Sequence, residues 1–426
     1  MKWLPFLIAF MTTRYRHFQN REALLTYQGR QIQKHLAYIE RFSPYFKNGI
    51  NLTQISMDKS FMMAHFDELN TVGIKKADAF NLAIDSERSR QFSPTINSIS
   101  VGLSSGTSGH RGIFLTSPEE QAIWAGTILA KLLPSKNFLG HQLAFFLRAN
   151  NNLYEQVNSP FLTLHYYDMS QSITSHLDGL NQLQPSILVA PASVLCQLAT
   201  LQEKGELVIK PQKIISVAEV LEERDSEYIA SVFQQPFIHQ IYQATEGFLG
   251  YTCEHGRLHL NEDGIRFEKE YIDDKRFYPI ITDFKRKSQP FIRYRLNDIL
   301  VESKEQCPCG SLLQVIEKIE GRSDDIFYFE SEQNETVVMY PDFIRRCLLF
   351  VDGIREYQVS QVSKQDVEIA INELTKQQQS EIVSEFQTLF HVYHLKPINL
   401  TFTRYQLQKN QKLKRICQKM PLSEQH

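Results

Sequence analysis

A chain of 426 residues is too long for one compact core of ordinary size, so two or three domains are expected. The 46 Lys+Arg and 48 Asp+Glu leave a formal net charge of -2, without the basic excess of a nucleic-acid binder. Six cysteines in so long a chain do not read as the disulfide framework of a small secreted domain, and they point to a reducing compartment, the cytoplasm.

The run from Met1 to Met11 is apolar, with Trp3, Leu4, Phe6, Leu7, Ile8 and Phe10. It is too short to span a bilayer, and Thr12, Thr13, Arg14 and Tyr15 stand where a signal peptide has small residues. It reads as a helix packed on the body of the protein, with peripheral membrane attachment as the alternative. No other segment approaches transmembrane length. Leu24, Leu25, Tyr27, Ile32, Leu36 and Ile39 predict a helix from Arg21 to Tyr45. Alternation from Ile96 to Leu103 predicts a strand, and Ile113-Phe114-Leu115 a return strand. Ser117-Pro118-Glu119-Glu120 places Ser at the N-cap, Pro at N1 and Glu at N3 of a helix that ends near Pro134.

Strands at Ile187 to Ala190, Lys213 to Val217 and Phe237 to Tyr242 alternate with helices reaching Gln202 and spanning Glu222 to Phe233. This rhythm predicts an α/β domain with a mainly parallel sheet. Residues 250–320 read as a smaller β-rich subdomain. Strands at Glu356 to Ser360, Val367 to Ile371 and Ile398 to Thr403, with a helix from Thr375 to Phe390, predict a small α+β lid domain. Gly321-Arg322-Ser323-Asp324-Asp325 is the expected boundary, giving domains 1–321 and 322–426.

Five motifs bear on chemistry, and each has a plainer reading beside it. Ser104-Ser105-Gly106-Thr107-Ser108-Gly109 lets successive backbone N–H groups converge on an anion, or is a hairpin loop. It is not a Walker A loop, because the spacing and the Lys are wrong. Tyr242-Gln243-Ala244-Thr245-Glu246 closes a strand where ligands gather in open α/β sheets, and its Thr and carboxylate suit Mg²⁺; alternatively it is a polar strand end. Asp298, at the end of Pro290-Phe291-Ile292-Arg293-Tyr294-Arg295-Leu296-Asn297-Asp298, offers a carboxylate to both hydroxyls of a ribose, or pairs with Arg293 or Arg295. The boundary motif is the fourth. The fifth is the cationic tail Lys409-Asn410-Gln411-Lys412-Leu413-Lys414-Arg415, which is a solvated face or delivers a Lys to a phosphate when a lid closes.

In this order the motifs resemble the adenylate-forming superfamily of acyl- and aryl-CoA ligases, from about Arg21 to Arg415. Within it the chain looks most like the phenylacetate–CoA ligase-like branch, and especially the sub-branch related to the synthetase that adenylylates a deazaflavin coenzyme. Phe66-Asp67-Glu68-Leu69-Asn70-Thr71-Val72-Gly73 and Phe146-Leu147-Arg148-Ala149-Asn150 add to the likeness. The resemblance implies that Ser104, Ser105, Gly106, Thr107, Ser108 and Gly109 form the phosphate loop. It implies that Ala218 and Glu219 lie against adenine, that Tyr242 stacks beside the base, and that Thr245 and Glu246 serve phosphate and Mg²⁺. Asp298 would bind ribose, Arg322 would touch the nucleotide, Asp324 would be the hinge, and Lys412 would bridge carboxylate and phosphate. The implied reaction joins a carboxylic acid to ATP as an acyl-adenylate, releases pyrophosphate, and passes the acyl group to a thiol, amine or hydroxyl. The rivals are AMP transfer to a hydroxyl and a non-catalytic nucleotide-binding relative. The acid is not named by the sequence, and Phe145, Phe146, Asn151 and Tyr154 are placed in its pocket only by their position in the chain.

Two departures from the branch stand out. Asn410 and Gln411 precede Lys412, where the branch usually has Gly in the second position. The segment Phe327 to Glu335 lacks the Arg-Gly pair that helps form the thiol tunnel, and offers aromatics and the carboxylates Glu330, Glu332 and Glu335 instead. Cys253, His259, Cys307 and Cys309 supply a Cys₃His set of the kind that holds structural zinc, with His255 competing for the His position. Related sequences in the branch carry a similar set. The plainer reading is a group of reduced or buried thiols.

Overall fold

The computed structural model describes residues 3–89, 94–103, 112–134, 139–147, 161–169, 171–349, 351, 353–354, 356–405 and 414–421. The chain divides into two units, Met1–Leu296 with Val301–Lys318, and Asn297–Leu300 with Ile319–His426.

In the first unit, α1 (Trp3–Tyr15) buries Phe6, Ala9 and Phe10. A Cβ on Gly126 would come within 2.4 Å of the Phe6 carbonyl oxygen, so α1 sits tightly on that position because it carries no side chain. The guanidinium of Arg14 donates to the carbonyls of Ala130 and Leu133, which follow from the last turn of the next helix it meets and would otherwise be orphaned. The expected packing of this helix on the body is therefore what the chain adopts. Next, α2 (Arg21–Phe42) is capped by Asn20 and stops at Ser43. It falls short of Tyr45 because Pro44 drives the residue before it out of the helical region. No helix among the described residues is long and apolar enough to cross a membrane.

After α3 (Lys76–Ser89), β1 (Thr95–Ile96), β2 (Ile99–Leu103) and β3 (Ile113–Thr116) form a small antiparallel sheet. The single strand expected from Ile96 is a hairpin instead. Asn97 and Ser98 both take positive φ, 50° and 65°, the signature of a two-residue type I′ turn. The helix announced by Ser117 is α4 (Pro118–Leu132), with both bonds of the capping box present.

The central layer is β4 (His141–Leu147), β5 (Leu162–Asp168), β6 (Ile187–Ala190), β7 (Lys213–Ser216) and β8 (His239–Ala244), all parallel, in the order β8-β7-β6-β4-β5. Helices α5 (Leu177–Leu183), α6 (Ala192–Glu203) and α7 (Glu223–Val232) lie between the strands in sequence. Every residue of β6 and β7 is buried, as parallel strands covered on both faces require. Alternate residues enter opposite cores. Leu143, Ile187, Val189 and Ile215 join Phe6, Phe10 and Leu129, whereas Ala144, Phe146, Leu188 and Ile214 join Leu195, Leu198 and Ile229.

The β-rich stretch is continuous with this layer. β9 (Gly247–Thr252) folds back antiparallel on β8, β10 (Leu258–Leu260) pairs with β9, and β11 (Ile265–Tyr271), β12 (Arg276–Asp283), β13 (Tyr294–Arg295), β14 (Asp298–Glu302) and β15 (Val315–Arg322) complete a twelve-stranded sheet.

The second unit contains the hairpin β16 (Phe327–Glu330) and β17 (Thr336–Met339), then α8 (Pro341–Leu349), β18 (Tyr357–Gln361), β19 (Asp366–Ile371), α9 (Lys376–Val392), β20 (Asn399–Thr403) and β21 (Ile416–Gln418). Its four-stranded sheet runs β20-β19-β18-β21. Thr375 and Gln378 form a capping box at the start of α9, and Ile382 and Phe386 carry that helix into the core with Phe327, Phe329, Val359 and Ile369.

Two buried histidines of the first unit make its stability depend on pH. His35 on α2 is 3% exposed, and neither ring nitrogen has a hydrogen-bond partner among the described residues. Burial, helped by the charge of Lys287, pushes His35 down to about 4, and burial does the same to His239. Both rings are neutral in the fold, while an unfolded chain protonates them near the ordinary value of 6.5. Stability is therefore fully present above that value and is lost as pH falls from there towards 4. For His35 the loss by pH 5 is expected to be at most ~2 kcal/mol. His35→Leu should flatten the change in denaturation midpoint between pH 7 and pH 5. An unchanged slope would show that the ring is already satisfied.

Candidate functional site

Thr245 and Glu246 sit where the last parallel strand, β8, ends and the chain reverses into β9. The carboxyl ends of parallel strands are where open α/β sheets receive ligands. Gly247 makes the reversal at φ +156°, where a Cβ would lie 3.1 Å from Asp283 Oδ2. The Thr245 hydroxyl donates to Glu246 Oε2 at 2.8 Å, and the Tyr294 hydroxyl donates to Glu246 Oε1 at 3.2 Å. The Glu246 carboxylate is thus oriented through both oxygens and keeps lone pairs for a hard cation. Together with the Thr245 hydroxyl it is the kind of donor set that Mg²⁺ accepts alongside substrate phosphates.

Three residues to which the sequence gives no part in the site support this turn. The Arg286 guanidinium donates to the carbonyls of Thr245 at 3.4 Å and Leu115 at 3.0 Å, which ties the turn to β3. The Trp124 indole N–H, on α4, donates to Gln243 Oε1 at 3.1 Å. Glu120 does more than cap α4. It accepts from the backbone N–H groups of Lys287 and Ser288 at 2.6 and 2.8 Å and from the Ser288 hydroxyl. Burial acts to raise its pKa, but Arg286 and these donors outweigh burial and hold it below the usual carboxylate range. Only the capping role of Glu120 shows in local sequence. Its partners lie more than a hundred residues away.

Ala218 follows β7 at φ +67°, an uncommon conformation for a residue with a Cβ. Glu219 donates its N–H to the Val217 carbonyl at 2.8 Å and accepts the Ser193 N–H at 3.0 Å through its carboxylate, at the N-terminus of α6. Tyr242 is 5% exposed, just before the β8–β9 register shift. Phe146, expected in an acid pocket, is instead fully buried between sheet and helices, stacked on Tyr167. Strand alternation sends it to that face and leaves Phe145 on the other. Ser104, Ser105, Gly106, Thr107, Ser108, Gly109, Arg148, Ala149, Asn150, Asn151, Tyr154 and Lys412 lie outside the described residues.

In the second unit, Asp298 pairs with Arg322, Oδ1 to Nε 3.4 Å. The neighbouring arginines go elsewhere. Arg293 pairs with Glu268 at 3.0 Å and Arg295 with Glu270 at 2.9 Å. Asn297 donates its amide to Asp324 Oδ2 at 2.8 Å, and its carbonyl accepts the Ser323 N–H at 2.7 Å. Asn297–Leu300 and the boundary motif thus form one structure within this unit. Gly321 takes φ +153°, and a Cβ there would press Pro341 at 3.2 Å. Within the segment from Phe327 to Glu335, the two phenylalanines of β16 do not line a surface. Phe327 and Phe329 are fully buried in the core of the unit, and Glu330 is neutralised by Lys396 at 2.9 Å. Asn334 makes the hairpin turn at φ +64°, a conformation Asn tolerates where Gly is more usual. Of the residues expected to crowd a tunnel, Tyr328 is half-buried, and Glu332 and Glu335 are exposed.

The cysteines assemble elsewhere in the first unit. The ligand atoms of Cys253, His259, Cys307 and Cys309 all lie within 4.8 Å of one another. Cys253 Sγ and Cys307 Sγ are 3.6 Å apart, close to the ~3.8 Å between two sulfurs that each sit about 2.3 Å from a tetrahedral zinc. His259 Nε2 lies 3.5 Å from Cys309 Sγ, and its Nδ1 lies 3.0 Å from the Leu313 carbonyl, which selects the tautomer with a lone pair on Nε2. His255 reaches the cluster only through its backbone N–H, 3.4 Å from Cys253 Sγ. Burial, reinforced by the neighbouring thiols, pushes Cys309 up to about 12. This donor set fits zinc, which would bind it as thiolates and a neutral imidazole. The purified protein is expected to carry close to one zinc per chain. Cys307→Ser should lower Tm by about 5 °C or more while changing adenylation less. A metal-free protein of full stability would contradict the assignment.

No family model matches the chain. It is 28% identical over 166 residues to Protein CapK of Staphylococcus aureus, a stretch that is 38% of this chain and 36% of that protein. The chain therefore spans about a third of the length of this curated relative. Solved structures match far more of it. A 2-hydroxyisobutyryl-CoA ligase in the postadenylation state, in complex with an acyl-AMP, superposes with TM-score 0.66 at 14% identity, over 94% of this chain and 90% of that one. The amide bond synthetase McbA of Marinactinospora thermotolerans gives 0.54 at 10% identity, over 74% and 67% of the two chains. The o-succinylbenzoate-CoA synthetase MenE of Bacillus subtilis gives 0.52 at 14%, over 74% and 68%. The fold is that of the adenylate-forming ligases.

Proposed function

We propose that this protein is an AMP-forming ligase that converts a carboxylic acid, aryl or acyl, into an acyl-adenylate. The observation that carries the reading is Glu246. On a ligase fold, its carboxylate stands at the carboxyl end of β8, oriented by Thr245 and Tyr294 at 2.8 and 3.2 Å. The phenylacetate–CoA ligase-like branch is our assignment from the sequence motifs. Glu246 and Thr245 would hold Mg²⁺, which offsets the charge of the triphosphate. Ser104 to Gly109 would cradle the phosphates, Ala218, Glu219 and Tyr242 would border adenine, and Asp298 with Arg322 would hold the ribose. Arg322, 3.4 Å from Asp298, would align that carboxylate as an acceptor for the two hydroxyls. A carboxylate oxygen of the substrate attacks the α-phosphorus, the bond to the bridging oxygen breaks, and pyrophosphate leaves with the electron pair. Lys412 stabilises the charge that builds up on the phosphorane oxygens. No protein nucleophile is needed. Six free thiols accord with a cytoplasmic setting.

The test is release of pyrophosphate from ATP across aryl, fatty and amino acids. Release dependent on one acid class supports the reading, and none with any acid refutes it. For the second half-reaction we favour a carrier-protein thiol, an amine or a hydroxyl over free CoA, because Glu332 and Glu335 are exposed in the β16–β17 turn and repel the phosphates of CoA. With a competent acid, hydroxylamine should trap the adenylate efficiently while CoA thioester forms slowly even near millimolar CoA. Rapid, saturable thioester formation would show that this turn does not guard the tunnel.

A further inference from the structure

Helix α1 is apolar on two opposite faces, and the protein covers one of them. Phe6, Ala9, Phe10 and Thr13 are buried, and the Phe6 and Phe10 rings meet Phe161 in the core of the first unit. The other face carries Leu4, Leu7, Ile8, Met11 and Tyr15, exposed by 69, 42, 54, 52 and 58%, with Trp3 beside them at 47%. Leu4, Ile8, Met11 and Tyr15 recur at steps of four, three and four, so they form one stripe about 17 Å long. A surface helix turns polar residues outward, and a helix that is apolar all round is normally buried. A single exposed apolar residue needs no account, but six on one helix of 13 residues do.

Charge, aromatic placement and area say what covers this face. No acidic residue lies in the first turn of α1, and none occurs between Met1 and Arg21. The same stretch holds Lys2, Arg14, Arg16 and Arg21, although the whole chain has a net charge of -2. Arg21 is paired with Glu262. Arg14 donates to the carbonyls of Ala130 and Leu133, and Arg16 to the Tyr27 hydroxyl, neutral partners that do not cancel a charge. Glu254, an acid whose field reaches Arg14, is itself paired with Lys213. An apolar stripe beside cations and free of acids is complementary to anionic lipid headgroups. Trp3 and Tyr15 stand at its two ends, and such rings favour the level of the headgroups. A second copy of the chain fits less well. Six side chains that are about half-exposed present on the order of 600 Å², short of the ~800 Å² per partner of a stable protein interface.

We propose that α1 is a membrane-docking element, which lays its outer face into the headgroup region of an anionic bilayer while its inner face stays packed on α4. A helix of 13 residues is about 20 Å long, against ~30 Å of hydrocarbon, so it lies in the plane of the interface and does not span it. The proposal stands independently of the adenylation reading.

The test mixes the full-length protein with lipid vesicles and measures co-sedimentation. Phosphatidylcholine vesicles containing about one-third phosphatidylglycerol are expected to bind it at least about tenfold more tightly than pure phosphatidylcholine, and added salt should narrow the difference. Leu4→Gln, Ile8→Gln and Met11→Gln combined should weaken binding to the anionic vesicles about tenfold or more. The denaturation midpoint should hardly move, because all three side chains are exposed. A second readout needs no combined variant. Trp3 and Trp124 are the two tryptophans, and Trp124 is part-buried and bonded to Gln243. Phosphatidylglycerol vesicles with brominated acyl chains should quench the emission of the wild-type protein, and Trp3→Phe should abolish that quenching. Absence of binding to the anionic vesicles overturns the proposal. So does equal binding to both kinds of vesicle, or quenching that survives Trp3→Phe. A dimer in sedimentation velocity that the three Gln substitutions abolish, without vesicle binding, also overturns it and gives the face to a second copy.

Discussion

Lys412→Ala should lower the rate of adenylate formation by a factor on the order of 10²–10³ while ATP binds almost as before. Loss of one donor that acts on developing charge typically has that effect on kcat. The asymmetry follows from when the contact is made. On the proposed reading Lys412 meets the phosphate only in the transition state, so it would contribute little to the ground state. Lys414 and Arg415 are not expected to stand in for its charge. Lys414 is already engaged by Asp325 at 2.5 Å. Single-turnover pyrophosphate release and equilibrium binding of a non-hydrolysable ATP analogue measure the two quantities separately. A variant with full adenylation rate would remove Lys412 from the mechanism, and a large loss of ATP affinity would make it a binding residue.

Glu246→Gln should raise the Mg²⁺ concentration for half-maximal activity roughly tenfold or more, equivalent to about 1.4 kcal/mol of lost binding. The amide keeps the shape of the side chain and an oxygen that can accept from Tyr294, so the fold around the turn should survive. What it removes is the formal charge, and a neutral oxygen is a poorer ligand for a hard cation. A Mg²⁺ titration of the variant at saturating ATP is the measurement. An unchanged titration would leave Glu246 as a structural partner of Tyr294 and Thr245 and remove it from the metal.

Local signals in the sequence carried the secondary structure well where a side chain competes with the backbone. The Ser117 to Glu120 box, with Pro118 at N1, determines where α4 begins, and the Thr375 cap does the same for α9. Strand positions followed from apolar runs, because β6 and the middle of β7 are covered on both faces. The hairpin at Asn97 and Ser98 escaped notice because two positive-φ residues interrupt an alternation without changing its appearance. Phe146 and the aromatics of β16 were misplaced for a related reason. Chemical type suggests a pocket or a tunnel wall, but strand parity decides which face a residue occupies.

The candidate residues divide in the same way. Thr245, Glu246, Asp298 and Arg322 are legible because each stands in a short motif. Trp124, Arg286 and the second role of Glu120 are not, because their meaning depends on tertiary contacts between residues far apart in the chain. The Asp298–Arg322 pair lies between these cases. Both residues were visible, and the sequence suggested Arg293 or Arg295 as the partner. Those two arginines pair instead with Glu268 and Glu270 of β11. The Cys₃His set was visible by residue type, and the geometry separates His259 from His255 by showing which of them directs a ring nitrogen at the sulfurs.

The most direct measurement follows the oxygen atoms of the substrate. An acid that supports pyrophosphate release is supplied with its carboxylate labelled with ¹⁸O, and the AMP is analysed after hydroxylamine takes the acyl group. Attack of the carboxylate on the α-phosphorus, followed by cleavage of the acyl carbon–oxygen bond, places one labelled oxygen in AMP, and that is the result expected here. Unlabelled AMP, or AMP retained on a hydroxyl of the product, would contradict the proposal that this chain makes an acyl-adenylate.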